Sequence, residues 1–227
     1  MSHFASGMIN AGNVSVGAAP TFVSVSANGG GTTAAMPSGW AVGDLLMIFA
    51  SDYRSGDVVS GHNTPAGWTE LGNWTHKREG INYRTRAKIF YRIAQSGQSS
   101  VSLTVASGET PHSSCMMAFR GVDASSPFEA VETLNDQTTT TPTPPYAQIA
   151  TLGSNRVVIQ AISAWWGAGA TNSTPYTGWT ELFDSMTAVS VAVDMRTFAS
   201  AGLTDAGHQT RAQSTEWGRL AFAIRPA

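Results

Sequence analysis

Charge is scarce in this chain. Asp, Glu, Lys and Arg make up 12% of its 227 residues, about half the ~25% usual in globular proteins. The formal net charge is −2. No basic run is longer than Lys77-Arg78, so electrostatic capture of nucleic acid is not expected. Cysteine is nearly absent as well: Cys115 stands alone, which excludes an intrachain disulfide. Its apolar surroundings, Ser114 to Phe119, predict a buried and inert thiol. No window approaches the ~20 apolar residues of a membrane-spanning helix, and no basic region followed by an apolar stretch opens the chain. The expectation is a soluble protein with no membrane partner and no signal peptide.

Helical signals are missing too. No apolar pattern recurs at i, i+3 and i+4 between caps; short apolar or alternating runs lie between Gly, Pro, Ser, Thr and Asn instead. These predict strands at Phe22–Ala27, Asp44–Ser51, Arg86–Ala94, Ser100–Val105 and Ser114–Val122. Further strands are predicted at Phe128–Leu134, Tyr146–Thr151, Arg156–Ala164, Val189–Phe198 and Arg219–Arg225. Ser100–Val105 alternates cleanly, as a strand with one wet face does. Leu45–Ala50 is apolar throughout, which fits a strand covered on both faces or a subunit interface. Pro37, Pro65, Pro111, Pro127 and Pro175 are placed between strands.

The most informative feature is an internal repeat. Gly67-Trp68-Thr69-Glu70-Leu71 recurs as Gly178-Trp179-Thr180-Glu181-Leu182, an offset of 111 residues (178 minus 67). A Thr-Pro pair precedes each copy. The same offset lays Asp44–Ile48 over Asn155–Ile159, and a drifted register lays Met117–Arg120 over Leu220–Ala223. Two copies at so long a period do not make a solenoid. They predict an all-β, jelly-roll-type β-sandwich with an internal pseudo-twofold repeat, because each half alone leaves an apolar sheet face uncovered. The expected organisation is an N-terminal arm, 1–20, and one sandwich domain, 21–227, with half-repeats at about 37–122 and 146–227. Within the linking segment, Thr138–Pro145 reads as a loop.

Candidate chemistry is thin. His3, His62, His76, His112 and His208 show no metal-ligand spacing. There is no Gly-x-Ser-x-Gly elbow and no phosphate-binding glycine loop before a helix. Glu70 and Glu181 are the tempting carboxylate pair, but a pseudo-twofold gives them equivalent settings, whereas an acid and a base need unlike ones. The reading is a protein that is not an enzyme and carries neither cofactor nor metal. Aromatic and arginine side chains near strand ends are the remaining candidates: Tyr53 and Arg54, Trp74, and Trp165 with Trp166. An exposed rim of this composition serves an oligomer interface or stacks sugar rings.

The stretches Gly43-Asp44-Leu45-Leu46, Ala66-Gly67-Trp68-Thr69, Phe90-Tyr91-Arg92 and Phe119-Arg120-Gly121-Val122-Asp123, with Gly178–Glu181 and Ala223–Ala227, carry a further signal. In this order they resemble a β-sandwich family common in tailed bacteriophages, over about 37–227. The resemblance implies a virion structural protein, either a capsid decoration (cement) protein or a module of a tail fibre. Cement proteins of this kind sit as homotrimers on the outer capsid surface, so the implied partners are the major capsid protein and further copies of the chain. The resemblance transfers no catalytic residue. No coiled-coil heptads or shaft repeats are visible, which favours the capsid over a fibre. The alternative is a tail-fibre or receptor/carbohydrate-binding module.

Overall fold

The computed structural model describes residues 17–27, 29–56, 60–78, 83–141, 143–165, 173–185, 189–210 and 215–227. No helix occurs among them. The first half of the chain forms β1 (Thr21–Val25), β2 (Thr33–Ala34), β3 (Leu45–Ser55), β4 (Thr69–Arg78), β5 (Tyr83–Ile93), β6 (Val101–Ser102) and β7 (Thr110–Arg120). The second forms β8 (Phe128–Thr141), β9 (Ala150–Thr151), β10 (Arg156–Trp165), β11 (Thr180–Asp184), β12 (Val189–Phe198), β13 (Gly202–Leu203) and β14 (Thr215–Ile224).

Each half builds its own antiparallel five-stranded sheet. The first has the order β1-β7-β3-β5-β4, and the second, read from its far edge, β8-β14-β10-β12-β11. Strand for strand these are the same sheet. Each half adds a two-stranded ribbon, β2-β6 or β9-β13. The two large sheets pack face to face as a sandwich consistent with the jelly-roll type. Between them Leu45, Met47, Phe49, Met117 and Phe119 meet Val157, Ile159, Val193, Leu220 and Phe222 in one cluster drawn from both halves. The opposite faces are covered as well. Leu46, Ile48, Phe90 and Met116 pack with Trp68, Ala34 and Leu103; Val158, Ile162 and Ala221 pack with Trp179, Tyr146 and Ile149. Leu45–Ala50 is therefore apolar without a break because both faces of β3 are buried inside one chain, with no subunit interface required.

Pairing corrects the register of the repeat. Met47 pairs with Tyr91 and Met117, and Ile159 with Met195 and Phe222. Met47 thus corresponds to Ile159, an offset of 112 rather than 111, and Met117 to Phe222 rather than Leu220. Along β3 parity is the physical reason: side chains alternate faces, so an offset of 111 would set the inward Leu45 against Arg156 instead of the inward Val157; the two-residue shift at Met117 keeps the face and follows from the pairing alone. Only around the Gly-Trp turns does 111 hold. There both copies share a β-bulge, between Glu70 and Gly72 and between Glu181 and Phe183. Pairing also extends the correspondence back to β1 and β8, beyond 37–122 and 146–227.

Other expectations shift. The strands β4 and β11 were hidden by polar sequence. The clean alternation of Ser100–Val105 yields only β6, because its partner β2 is two residues long. Tyr146–Thr151 likewise shortens to β9, while β8 runs to Thr141 into the expected loop. Pro111 lies inside β7, opposite Asp52 at a register shift, where a missing N–H is tolerated. Most of the arm, 1–16, lies outside the described residues. Gly17 sits so close to the C-terminus that a Cβ there would fall 2.1 Å from the Ala227 carbonyl oxygen.

Candidate functional site

Of the five rim candidates, the side chains of Tyr53, Arg54 and Trp74 are described. Tyr53 is half-buried in β3 with its ring 5.5 Å from that of His112. Arg54 is half-buried beside Gly108. Trp74 corrects the expectation of exposure: it is 0% exposed and belongs to the central cluster. Its position on β4 turns it inward, and its indole Nε1–H donates to Ser163 Oγ at 2.7 Å across the sandwich. Gly218 makes room for it, since a Cβ there would lie 2.7 Å from Trp74 Cδ1. Trp165 closes β10 opposite Val189, and its side chain lies outside the described part of the structure. Trp166 lies outside the described residues altogether.

Three polar clusters have the residue types of chemistry. The first is Ser163 with His76, whose Nδ1 lies 3.2 Å from Ser163 Oγ. This is a nucleophile–base distance, but the two residues are 0% and 1% exposed. The serine hydroxyl also accepts the Trp74 N–H, so the pair joins the two sheets and is closed to a substrate. In the second, His62 Nδ1 lies 3.2 Å from Asp52 Oδ2, and both are fully buried. His62 Nε2 faces the Gly31 carbonyl oxygen at 2.8 Å. Burial pushes the Asp52 carboxyl above the usual carboxylate range; His62 and Lys88 oppose the rise, and Glu109 adds to it. In the third, Tyr146 Oη and Gln209 Nε2 donate to Asp194 Oδ2, the latter at 2.8 Å.

The remaining reactive groups also hold structure. Burial drives the Cys115 thiol well above its ordinary range, which removes thiolate character. Burial lowers His112, while a backbone hydrogen bond at Val189 raises it. Glu70 accepts from Asn73 and Lys88, and Glu181 accepts from Ser173 at 2.8 Å. The Asp44 of the Gly-Asp-Leu-Leu stretch receives Arg120 Nε at 2.9 Å and Nη2 at 2.8 Å, and its Oδ2 also accepts the Ala41 N–H at 2.7 Å. Two separated motifs thus meet as one clamp at the start of β3. Among the described residues no three His, Cys, Asp or Glu side chains come together as a metal site.

An open groove of about 460 Å³ lies on the outer side of the first half. The loop Asn63–Ala66, Trp68 and Arg92, and the stretch Gln98–Ser102 with Thr104 line it. The Arg92 guanidinium stands 5.8 Å over the Trp68 ring and donates from Nη2 to Gln95 Oε1 at 3.0 Å. Its Nε is buried without a hydrogen-bond partner, and among the described residues no carboxylate meets it. The motif Gly-Trp-Thr named the floor of this groove, but Arg92 read only as part of a strand. No family model, curated protein or solved structure matches the chain.

Proposed function

We propose that this chain is a non-catalytic structural protein of a bacteriophage virion, a decoration protein that binds the major capsid protein on the outer shell as a homotrimer. The observation that carries the non-catalytic part is the sealing of the reactive pairs. Ser163, His76, Asp52, His62 and Cys115 are each at most 1% exposed. What the described molecule presents to a partner is surface. The phage assignment rests on the motif resemblance, whose residues serve packing: the Asp44–Arg120 clamp and the two Gly-Trp turns. A charge-poor surface of small residues fits broad protein–protein contact, since interface cores are depleted in charge.

The test is binding to expanded capsids, read by co-sedimentation, together with the mass of the free protein in solution. Capsid binding at hundreds of copies by a trimer is the expected outcome. A strict monomer that stays in the supernatant would refute the reading.

The groove beside Trp68 favours a second reading, a tail-fibre or receptor/carbohydrate-binding module. Copy number in purified virions separates the two: a handful of copies places the chain on the tail.

A further inference from the structure

The two halves act as internal controls for each other, and one pair of equivalent arginines differs in its partners. Arg92 pairs with Leu46 and Arg196 with Val158, so the two arginines are equivalent, each beside its Gly-Trp turn. Gly67 and Gly178 both lie against the respective guanidinium, 3.4 Å and 3.6 Å from a built Cβ. Arg196 is neutralised: its Nη1 lies 2.7 Å from Asp205 Oδ2. Among the described residues Arg92 meets the Trp68 ring and the neutral Gln95, and no carboxylate.

Ribbon pairing identifies what replaces the carboxylate. Ser102 pairs with Thr33, and Leu203 with Ala150. One residue on, Leu103 N donates to Thr32 O and Thr204 N to Ile149 O. Thr104 therefore occupies the position of Asp205, and Thr104 lines the groove. Among the described residues the first half keeps the cation, lacks the internal counter-ion and has an open groove at that spot.

We propose that this groove binds an acidic saccharide, with the sugar carboxylate received by Arg92. A guanidinium is suited to a planar carboxylate, which it meets with two parallel N–H donors. Beside the Trp68 ring and a few apolar side chains, hydroxyl and amide groups from Asn63, Thr64, Gln98, Ser99, Ser100 and Ser102 line the groove; polar groups around one aromatic ring match a polyhydroxylated sugar. The volume lies in the range of small-ligand sites. The inference rests on the saccharide-binding reading and not on capsid attachment.

The experiment is calorimetric titration of the full chain with uronic-acid and sialylated oligosaccharides, each beside its neutral counterpart. Acidic sugars should bind, and Arg92→Gln should weaken them by about tenfold or more. Thr104→Asp, which rebuilds the second half's ion pair, should do the same without removing the arginine. Should Arg92→Gln fail to fold, Thr104→Asp carries the test alone. Equal binding of neutral sugars, or acidic binding untouched by Thr104→Asp, overturns the proposal while leaving saccharide binding intact. No sugar binding overturns both.

Discussion

Replacing Trp74 with Phe tests whether the two halves are held together by one shared core. The indole is 0% exposed, sits between β4 and β10, and donates to Ser163 Oγ at 2.7 Å. Phe keeps a ring but removes the donor. Loss of a buried hydrogen bond costs about 1–1.5 kcal/mol. The smaller ring leaves a cavity beside Gly218, worth about another 1–1.5 kcal/mol on the scale of partial core truncations. The expected total is about 2–3 kcal/mol. At roughly 2–4 °C per kcal/mol for a chain of this size, the melting temperature should fall by roughly 4–12 °C. Guanidinium unfolding followed by far-UV circular dichroism measures the free energy. Ser163→Ala supplies the second arm of a double-mutant cycle, since it strands the same indole N–H; the two losses should fall short of additive by about 1 kcal/mol. A Trp74→Phe change below about 0.5 kcal/mol with an unchanged denaturant slope, or full additivity with Ser163→Ala, would refute the view that this contact joins the halves.

Two further substitutions probe the same architecture. Gly218→Ala would place a Cβ 2.7 Å from Trp74 Cδ1 and 2.8 Å from the Thr75 carbonyl oxygen. It should cost about 2–3 kcal/mol by overpacking, whereas Gly97→Ala, with open space but φ of +72°, should cost only about 1 kcal/mol; equal losses would contradict the close approach of the sheets. The Asp52 carboxyl is raised from 3.8 by burial, so the folded protein holds that proton more tightly than the unfolded chain. Stability from this group is present below pH ~4 and is lost as pH rises through the raised value. Asp52→Asn should remove that part of the pH dependence, and thermal melts of both proteins from pH 3 to 7 that run parallel would show the carboxyl is not desolvated.

Legibility in the sequence followed burial. The strand Val189–Phe198 matches β12 residue for residue, and Leu45–Ala50 lies wholly in β3, because apolar runs bounded by turns report burial directly. The polar strand Thr69–Arg78 was not legible: its inward residues include Gly72 and Trp74, and a glycine at a bulge interrupts the alternation. Its tryptophan looked like a rim residue for the same reason. Ser100–Val105 erred the other way, since local alternation is blind to a partner strand only two residues long. Arg92 was legible as part of a motif but not as a site, because its distinction lies in a carboxylate present at Asp205 and absent at Thr104.

The sequence by itself determined the class of fold and its duplication, because side-chain periodicity and the repeated Gly-Trp turn are local properties of the chain. Tertiary structure alone decided which faces meet. It turned Trp74 inward, shifted the repeat from an offset of 111 to 112 along β3, and sealed Ser163 against His76. Each of these depends on contacts between residues dozens of positions apart, and their free energy arises only when the two sheets close on each other.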